Sequence, residues 1–180
     1  MELTVTYVIS QIFVIINRLF LVASYQLKNR RNILIVSFLA LLANGVVYLL
    51  LSAWSGLAMV FVAMVRNIIF MIDEKKNGKS DKTTKKDIII LIILYIISII
   101  SAIFTYEGIL SMMSVIATML YTYSVWQKKT NVYKILGIII DIVWIIYNIY
   151  ICSIMGIILN ISLLVSASIG LIRENNIYKK

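Results

Sequence analysis

The chain has 180 residues, of which 62% are hydrophobic, and it carries a formal net charge of +9 with a mean hydropathy of +0.98. Soluble domains are about 45–50% apolar, so this composition excludes a water-soluble globule and indicates an integral membrane protein. The chain contains no histidine and a single cysteine, so we expect no catalytic site, no metal site, no cofactor and no disulfide within the chain.

Seven long apolar runs follow one another along the chain. Backbone groups in lipid must be paired within helices or closed barrels, and these Ile- and Leu-rich runs lack the alternation of a barrel strand. A hydrocarbon core of about 30 Å requires roughly 20 residues of helix. The sequence therefore predicts an all-α integral membrane protein whose seven transmembrane helices occupy about 4–25, 32–51, 55–73, 88–104, 108–126, 133–151 and 154–172.

The basic residues occur in alternate connecting segments. Lys and Arg follow the first, third, fifth and seventh runs, whereas the N-terminal segment and the turns "SAWS", "TYEG" and "CSI" contain none. Because basic loops remain in the cytoplasm, we predict that the N-terminus is outside and the C-terminus is cytoplasmic. The positive charge is then explained by topology, and we expect no nucleic-acid partner. We interpret the Lys-rich segment 73–87 as a solvated linker.

The sequence repeats at an offset of 100 residues. Residues 24–73 align without a gap with residues 124–173, and the alignment places Gly56 on Gly156 and one tight turn on the other. It predicts two parallel three-helix repeats joined by one linker helix, a 3+1+3 plan. The first repeat is 1–76, the basic loop and linker helix are 77–104, and the second repeat with its tail is 105–180. Parallel repeats of transporters place a solute site near mid-membrane between the halves.

Away from the ends of the apolar runs there are three ionisable residues, Arg18, Arg66 and Asp141. A central charge of this kind costs about 2.5–3.5 kcal/mol on insertion scales. Arg66 and Asp141 fall at similar depths, so an ion pair between them is compatible with the predicted helices. Three interpretations remain open: a solute site, a packing ion pair without a solute, and an Asp141 that is protonated because burial disfavours the charged carboxylate.

Polar residues share helix faces with these groups. On the sixth run, one face carries residues at i, i+4, i+7 and i+11, which are Gly137, Asp141, Trp144 and Asn148. Asn67 adjoins Arg66 on the third run, and Asn160 lies on the seventh run. Hydrogen bonding between helices is the alternative use of such groups. The predicted substrate-binding residues are Arg66, Asn67, Asp141, Trp144, Asn148 and Asn160.

Two stretches resemble the YgjV family of bacterial inner-membrane proteins, "RNILIVSFLALLANGVVYLLLSAWSGLAMVFVAMVRN" and "WIIYNIYICSIMGIILNISLLVSASIGLIR". The residues that carry the resemblance are Ser55, Gly56, Arg66, Trp144, Asn148, Ile154, Gly156 and Arg173. The resemblance implies a multi-pass protein of the bacterial cytoplasmic (inner) membrane and names no reaction. The 3+1+3 plan is also similar to the SWEET and PQ-loop solute transporters, although this chain has none of the prolines that hinge their helices.

Two functions follow from these features. The first is a small-solute transporter or solute-binding membrane protein of the SWEET-like type, with a small polar solute as its ligand. The second is a non-transporting membrane scaffold or subunit whose intramembrane polar residues serve helix packing. The lipid bilayer is the expected surrounding, and homo-oligomerisation stays open. We do not expect an enzyme, because one central Asp without His leaves little acid–base chemistry.

Overall fold

The structure is a computed structural model that describes residues 5–52, 54–77, 85–104, 109–150 and 152–177. These residues form seven α-helices, and no strand occurs among them. The helices are α1 (Val5–Gln26), α2 (Arg30–Leu50), α3 (Trp54–Asn77), α4 (Lys85–Phe104), α5 (Ile109–Trp126), α6 (Thr130–Tyr150) and α7 (Ile154–Ile177). The all-α prediction is confirmed, whereas the 3+1+3 arrangement and the orientation of the termini stay predictions.

Four helices in the described part of the chain are long and apolar enough to cross a membrane. They are Val5–Gln26, Arg30–Leu50, Thr130–Tyr150 and the Ile154–Glu174 portion of α7. Their large apolar side chains are widely exposed, for example Leu19, Ile139 and Ile158. Such faces are stable next to lipid chains, because no water has to order around them.

Several helices extend beyond the predicted spans. α3 and α7 continue past residues 73 and 172 to Asn77 and Ile177, and α6 begins at Thr130 instead of 133. Hydropathy detects only the apolar part of a helix, and these extensions are polar. The extra turns carry Glu74 and Glu174, whose ion pairs hold the helix ends in place.

The chain divides into two compact units, Met1–Lys76 and Asn77–Lys180. In the first unit α1 and α2 pack along each other. Asn17 Nδ2 donates a hydrogen bond of 2.7 Å to Ala40 O across this contact. α3 meets α2 at Gly45, where an added Cβ would lie 3.3 Å from Met64 Cε and 3.7 Å from Val60 Cγ1. The missing side chain at Gly45 therefore leaves room for the side chains of Met64 and Val60.

In the second unit α6 and α7 pack along each other, α5 packs on α6, and α4 packs on α5. The start of α4 is held by Trp126, whose Nε1 donates to Asp87 O at 3.0 Å, and by Lys128, whose Nζ lies 3.9 Å from Asp87 Oδ2. Further along α4, Tyr95 OH donates to Met119 O at 3.4 Å. These bonds fix α4 against the end of α5.

Local structure recurs at the same offset of 100 residues. α2 and α6 begin and end at positions 100 apart, and α3 and α7 do so as well. Ser52 and Cys152, each two residues after the end of a helix, both adopt left-handed backbone angles, with φ of 52° and 54°. Ser24 and Ser124 each donate to the carbonyl three residues earlier at 2.7 Å. The gapless alignment therefore describes equivalent helices and turns, while their arrangement in the membrane stays a prediction.

An ion pair with a buried arginine closes the open end of a helical hairpin in the first unit. Arg30 at the start of α2 pairs with Glu74 near the end of α3. The guanidinium carbon of Arg30 also lies 6.0 Å from the centre of the Phe70 ring, a cation–π distance. Asn29 caps α2 by accepting from Arg31 N at 3.0 Å, which fixes where the helix begins.

The second unit has an equivalent pair between Lys134 on α6 and Glu174 on α7. Lys134 is only 1% exposed, and its Nζ also donates to Gly170 O at 3.2 Å. Thr130 donates to the same carboxylate. With its amide nitrogen turned toward Glu174, Asn131 lies 2.9 Å and 3.0 Å from the two carboxylate oxygens. The carboxylate is thus surrounded by donors, which a buried charge requires.

The two pairs share the acid but not the position of the cation. Glu74 and Glu174 are equivalent in the repeat, whereas Arg30 is equivalent to Thr130, and Lys134 is equivalent to Leu34. The cation has moved by four residues, about one helical turn on the same face. The ion pair is therefore retained at this end of each hairpin although the cationic residue is not.

We predict that Glu174→Ala lowers the free energy of unfolding by about 3–5 kcal/mol, because it leaves the buried Lys134 charge uncompensated. Adding Lys134→Leu, the residue found at the equivalent position 34, should recover part of that loss. The measurement is the unfolding midpoint of the purified protein in detergent. Lys129→Ala removes an exposed lysine and serves as the control. If Glu174→Ala and Lys129→Ala unfold at the same midpoint, the ion pair has no structural role.

Candidate functional site

Arg66 and Asn67 form a buried polar pair on α3, with exposed fractions of 4% and 0%. Nε and Nη2 of Arg66 each donate to Oδ1 of Asn67 at 3.3 Å. A guanidinium has donors only, so it fixes the amide with the oxygen toward Arg66 and Nδ2 away from it. Nδ2 of Asn67 is buried and has no hydrogen-bond partner within the described residues. The pair therefore presents an amide donor that the described chain does not satisfy.

Ser37 on α2 is a second buried group of this kind. Its side chain is fully buried, and its Oγ has no hydrogen-bond partner in the part of the chain that the structure describes. A serine inside a membrane helix ordinarily donates to the carbonyl three or four residues earlier. Ser24 does so on α1, at 2.7 Å to Leu21 O. Ser10 does the same, at 2.7 Å to Tyr7 O, so Ser37 differs from both of the other buried serines described in this unit.

Asp141 lies on α6 in the second unit and is 2% exposed. Gly137 and Asn148 on the same face are buried, and Trp144 is half-buried. The Trp144 ring meets Tyr147 edge-on, with ring centres 5.4 Å apart. The predicted polar face of α6 is thus turned into the protein. Asp141 and Arg66 belong to different units, and an ion pair between them stays a prediction.

The two predicted asparagines of the second unit are bonded within their own helices. Asn148 Nδ2 donates to Trp144 O at 2.7 Å, and Asn160 Nδ2 donates to Gly156 O at 2.8 Å. Each amide uses a donor on the carbonyl four residues earlier. These bonds favour a packing role for both residues, in contrast to Asn67. Asn67 and Asn160 belong to different units, and a substrate site that includes both stays a prediction.

Asn148 also shapes the turn between α6 and α7. Its backbone oxygen accepts from Ser153 N at 2.9 Å, and Ser153 Oγ accepts from Gly156 N at 3.3 Å. The amide of Asn148 lies directly against Gly156, so that an added Cβ at position 156 would overlap Oδ1 and Cγ of Asn148. Gly156, which the repeat alignment singled out, is therefore required by a close approach of α7 to the end of α6.

Sequence reasoning missed three features of the described structure. The repeat alignment ended at residues 73 and 173, one position before Glu74 and Glu174; extending it would have revealed the shared acid. The charge pattern groups Lys134, at the start of the predicted span 133–151, with the basic residues after the fifth run, yet its side chain is buried inside α6. Ser37 could not be singled out from the sequence, because a single serine in an apolar run forms no pattern with other polar residues.

Comparison with known proteins gives one match. A family model, Imp-YgjV, described as a bacterial inner membrane protein, matches residues 8–177. No curated protein and no solved structure matches the chain.

We predict that Gly156→Ala destabilises the protein by about 1–3 kcal/mol, the usual effect of overpacking, because the new methyl displaces Asn148. Gly45→Ala is the matched control, since its methyl would meet only the flexible end of Met64 and should cost less. Both unfolding midpoints are compared with that of the unchanged protein. Combining Gly156→Ala with Asn148→Ala should relieve the overlap. Equal midpoints for the two glycine variants would contradict the close approach at Gly156.

Proposed function

The chain belongs to the Imp-YgjV family of bacterial inner membrane proteins, and from this premise we propose that it is a small-solute transporter or solute-binding protein of that membrane. The observation that carries the proposal is Nδ2 of Asn67, a fully buried donor without a partner in the described chain. Leaving such a donor unpaired costs about 1–3 kcal/mol. A bound solute would supply the missing acceptor.

Charge at the same place supports the proposal. The Arg66 guanidinium contacts Asn67 at 3.3 Å and is itself buried. Ionisable residues inside membrane helices commonly mark pathways of solutes or ions. In the second unit Asp141 is a buried ionisable residue as well. We propose that Asp141 couples solute binding to a proton.

The topology belongs to the proposal as well. Seven membrane-spanning helices in a 3+1+3 plan, with the N-terminus outside and the C-terminus in the cytoplasm, would put both repeats in the same orientation. The equivalent helix ends and left-handed residues at an offset of 100 support such repeats. Parallel repeats are found in transporters that alternate access around a central site.

A non-transporting scaffold or subunit is the second candidate function. The observation that favours it is the bonding of Asn148 and Asn160 to carbonyls of their own helices. In that case the polar groups of the second unit are internal packing bonds. The two candidates differ in their expectation for Asp141, which is a functional carboxylate in the first and a structural group in the second.

A thermal-shift screen of the purified full-length protein against small metabolites tests the proposal. We expect a stabilising ligand, since a solute at a hundred times its Kd adds about 2.7 kcal/mol to the free energy of unfolding. Asp141→Asn should abolish that ligand-dependent shift and leave the unliganded midpoint close to that of the unchanged protein.

Ser162→Ala, which removes an exposed hydroxyl on α7, is the control and should respond to the ligand as the unchanged protein does. A screen without any stabilising metabolite, together with an Asp141→Asn variant that no longer folds, would contradict the transporter proposal and favour the scaffold.

A further inference from the structure

Ser37 Oγ on α2 and Asn67 Nδ2 on α3 are buried polar atoms of the first unit that have no hydrogen-bond partner in the described residues. Both side chains are fully buried. Each atom can donate a hydrogen bond. Two such donors in one three-helix unit raise the question of whether they serve the same acceptor.

The register of the hairpin places them at the same level. Arg30 pairs with Glu74 at the open end, and Gly45 meets Val60 nearer the turn, so α2 and α3 run antiparallel. Ser37 lies seven residues beyond Arg30, and Asn67 lies seven residues before Glu74. Seven residues are about 10 Å of rise and nearly two full turns.

A separation of seven residues returns to nearly the same face of a helix. Ser37 is therefore on the same face of α2 as Arg30, and Asn67 is on the same face of α3 as Glu74. Ser37 and Asn67 therefore lie on the facing sides of α2 and α3, about 10 Å from the ion pair along the hairpin. One acceptor between the helices can meet both donors.

The second unit shows that the hairpin does not need polar groups at this level. The positions equivalent to Ser37 and Asn67 are Gly137 and Ala167, and both are buried. An α6–α7 hairpin with an ion pair at its open end is thus built with small apolar residues there. The polar pair of the first unit is an addition to the shared hairpin and not a requirement of it.

The distribution of charged residues in the first unit indicates which kind of acceptor would bind to these two donors. Its apolar spans contain Arg18 and Arg66, whereas its acidic residues, Glu2, Asp73 and Glu74, lie outside the predicted spans or at their ends. Arg66 contacts Asn67 directly, at 3.3 Å. Two donors beside a guanidinium favour an anionic acceptor over a neutral one, since charge-assisted hydrogen bonds are roughly twice as strong as neutral ones.

We propose that Ser37 and Asn67, beside Arg66, bind the carboxylate group of a small organic solute. The inference rests on the proposed function and names the class of its substrate. Ser37 Oγ and Asn67 Nδ2 each donate to a carboxylate oxygen, and the Arg66 guanidinium supplies the positive charge and holds the amide in the donating orientation. A water molecule at the same place would satisfy the donors without any preference for charge.

The test compares carboxylates with their neutral amides on the full-length protein in detergent. The probes are sodium acetate, lactate and succinate, their amides acetamide, lactamide and succinamide, and sodium chloride as a control for ionic strength. At least one carboxylate should raise the unfolding midpoint and bind about tenfold tighter than its amide, which corresponds to about 1.4 kcal/mol.

Two variants locate the site. Asn67→Asp keeps the shape of the side chain and its contact with Arg66 but places a negative charge at the site, and it should weaken carboxylate binding at least tenfold. Ser37→Ala removes an unpartnered hydroxyl, so its unliganded midpoint should be unchanged or higher while carboxylate affinity falls several-fold. Ser24→Ala is the matched control, because that buried hydroxyl is already bonded to Leu21 O, and it should leave affinity unchanged.

The outcomes separate this inference from the proposed function. If the amides bind as tightly as the carboxylates and Asn67→Asp abolishes binding, the preference for a carboxylate is contradicted. A site for a neutral solute at Asn67 would still be supported. A Ser37→Ala variant that unfolds at a clearly lower midpoint would overturn the site, because the hydroxyl is then structural. If none of the organic probes, charged or neutral, shifts the midpoint at millimolar concentration, the carboxylate site is overturned; a stabilising metabolite from the broader screen would still support the proposed function.

Discussion

A polar group buried in a membrane helix bundle must find a partner, because neither lipid chains nor apolar side chains can replace the hydrogen bonds it had with water. This constraint explains most of the polar residues described in the chain. Glu174 is surrounded by donors from Lys134, Thr130 and Asn131. The amides of Asn148 and Asn160 are bonded to carbonyls of their own helices. The functional interpretation therefore rests on the few buried polar atoms that have no hydrogen-bond partner in the described residues, Asn67 Nδ2 and Ser37 Oγ among them.

The ion pairs show how the constraint acts on the repeat. Both hairpins have a glutamate at the same position, and each has a buried cation against it, but Arg30 and Lys134 lie one turn apart in the repeat frame. What the two units share is an ion pair at the open end of the hairpin. The cation of this pair can come from either of two successive turns on the same helix face. The pairs hold the polar ends of α3 and α7 beyond the apolar spans.

The helices could be predicted from the sequence because their apolar runs are long and separated by short polar turns. The ends of α3, α6 and α7 could not, because the turns that carry Glu74 and Glu174 are too polar for a hydropathy pattern to include. Burial of Arg66, Asn67 and Asp141 was expected from their positions in apolar runs, and the structure shows it. The donor state of Asn67 was not predictable, because it depends on which atom of the amide faces Arg66. An Arg66–Asp141 pair cannot be derived from depth alone, since depth gives the level of a residue but not its neighbour.

Whether a solute reaches Ser37 is the most direct test of this account. Cys152, the one cysteine of the chain, is first replaced by serine, the residue at the equivalent position 52. Ser37→Cys is then introduced, and its reaction with a small water-soluble thiol reagent is followed in membrane vesicles. The account predicts that the thiol reacts and that a bound carboxylate slows the reaction. A thiol that stays unmodified in folded protein, with and without carboxylate, would show a dry, closely packed interior and contradict a solute site at Ser37 and Asn67.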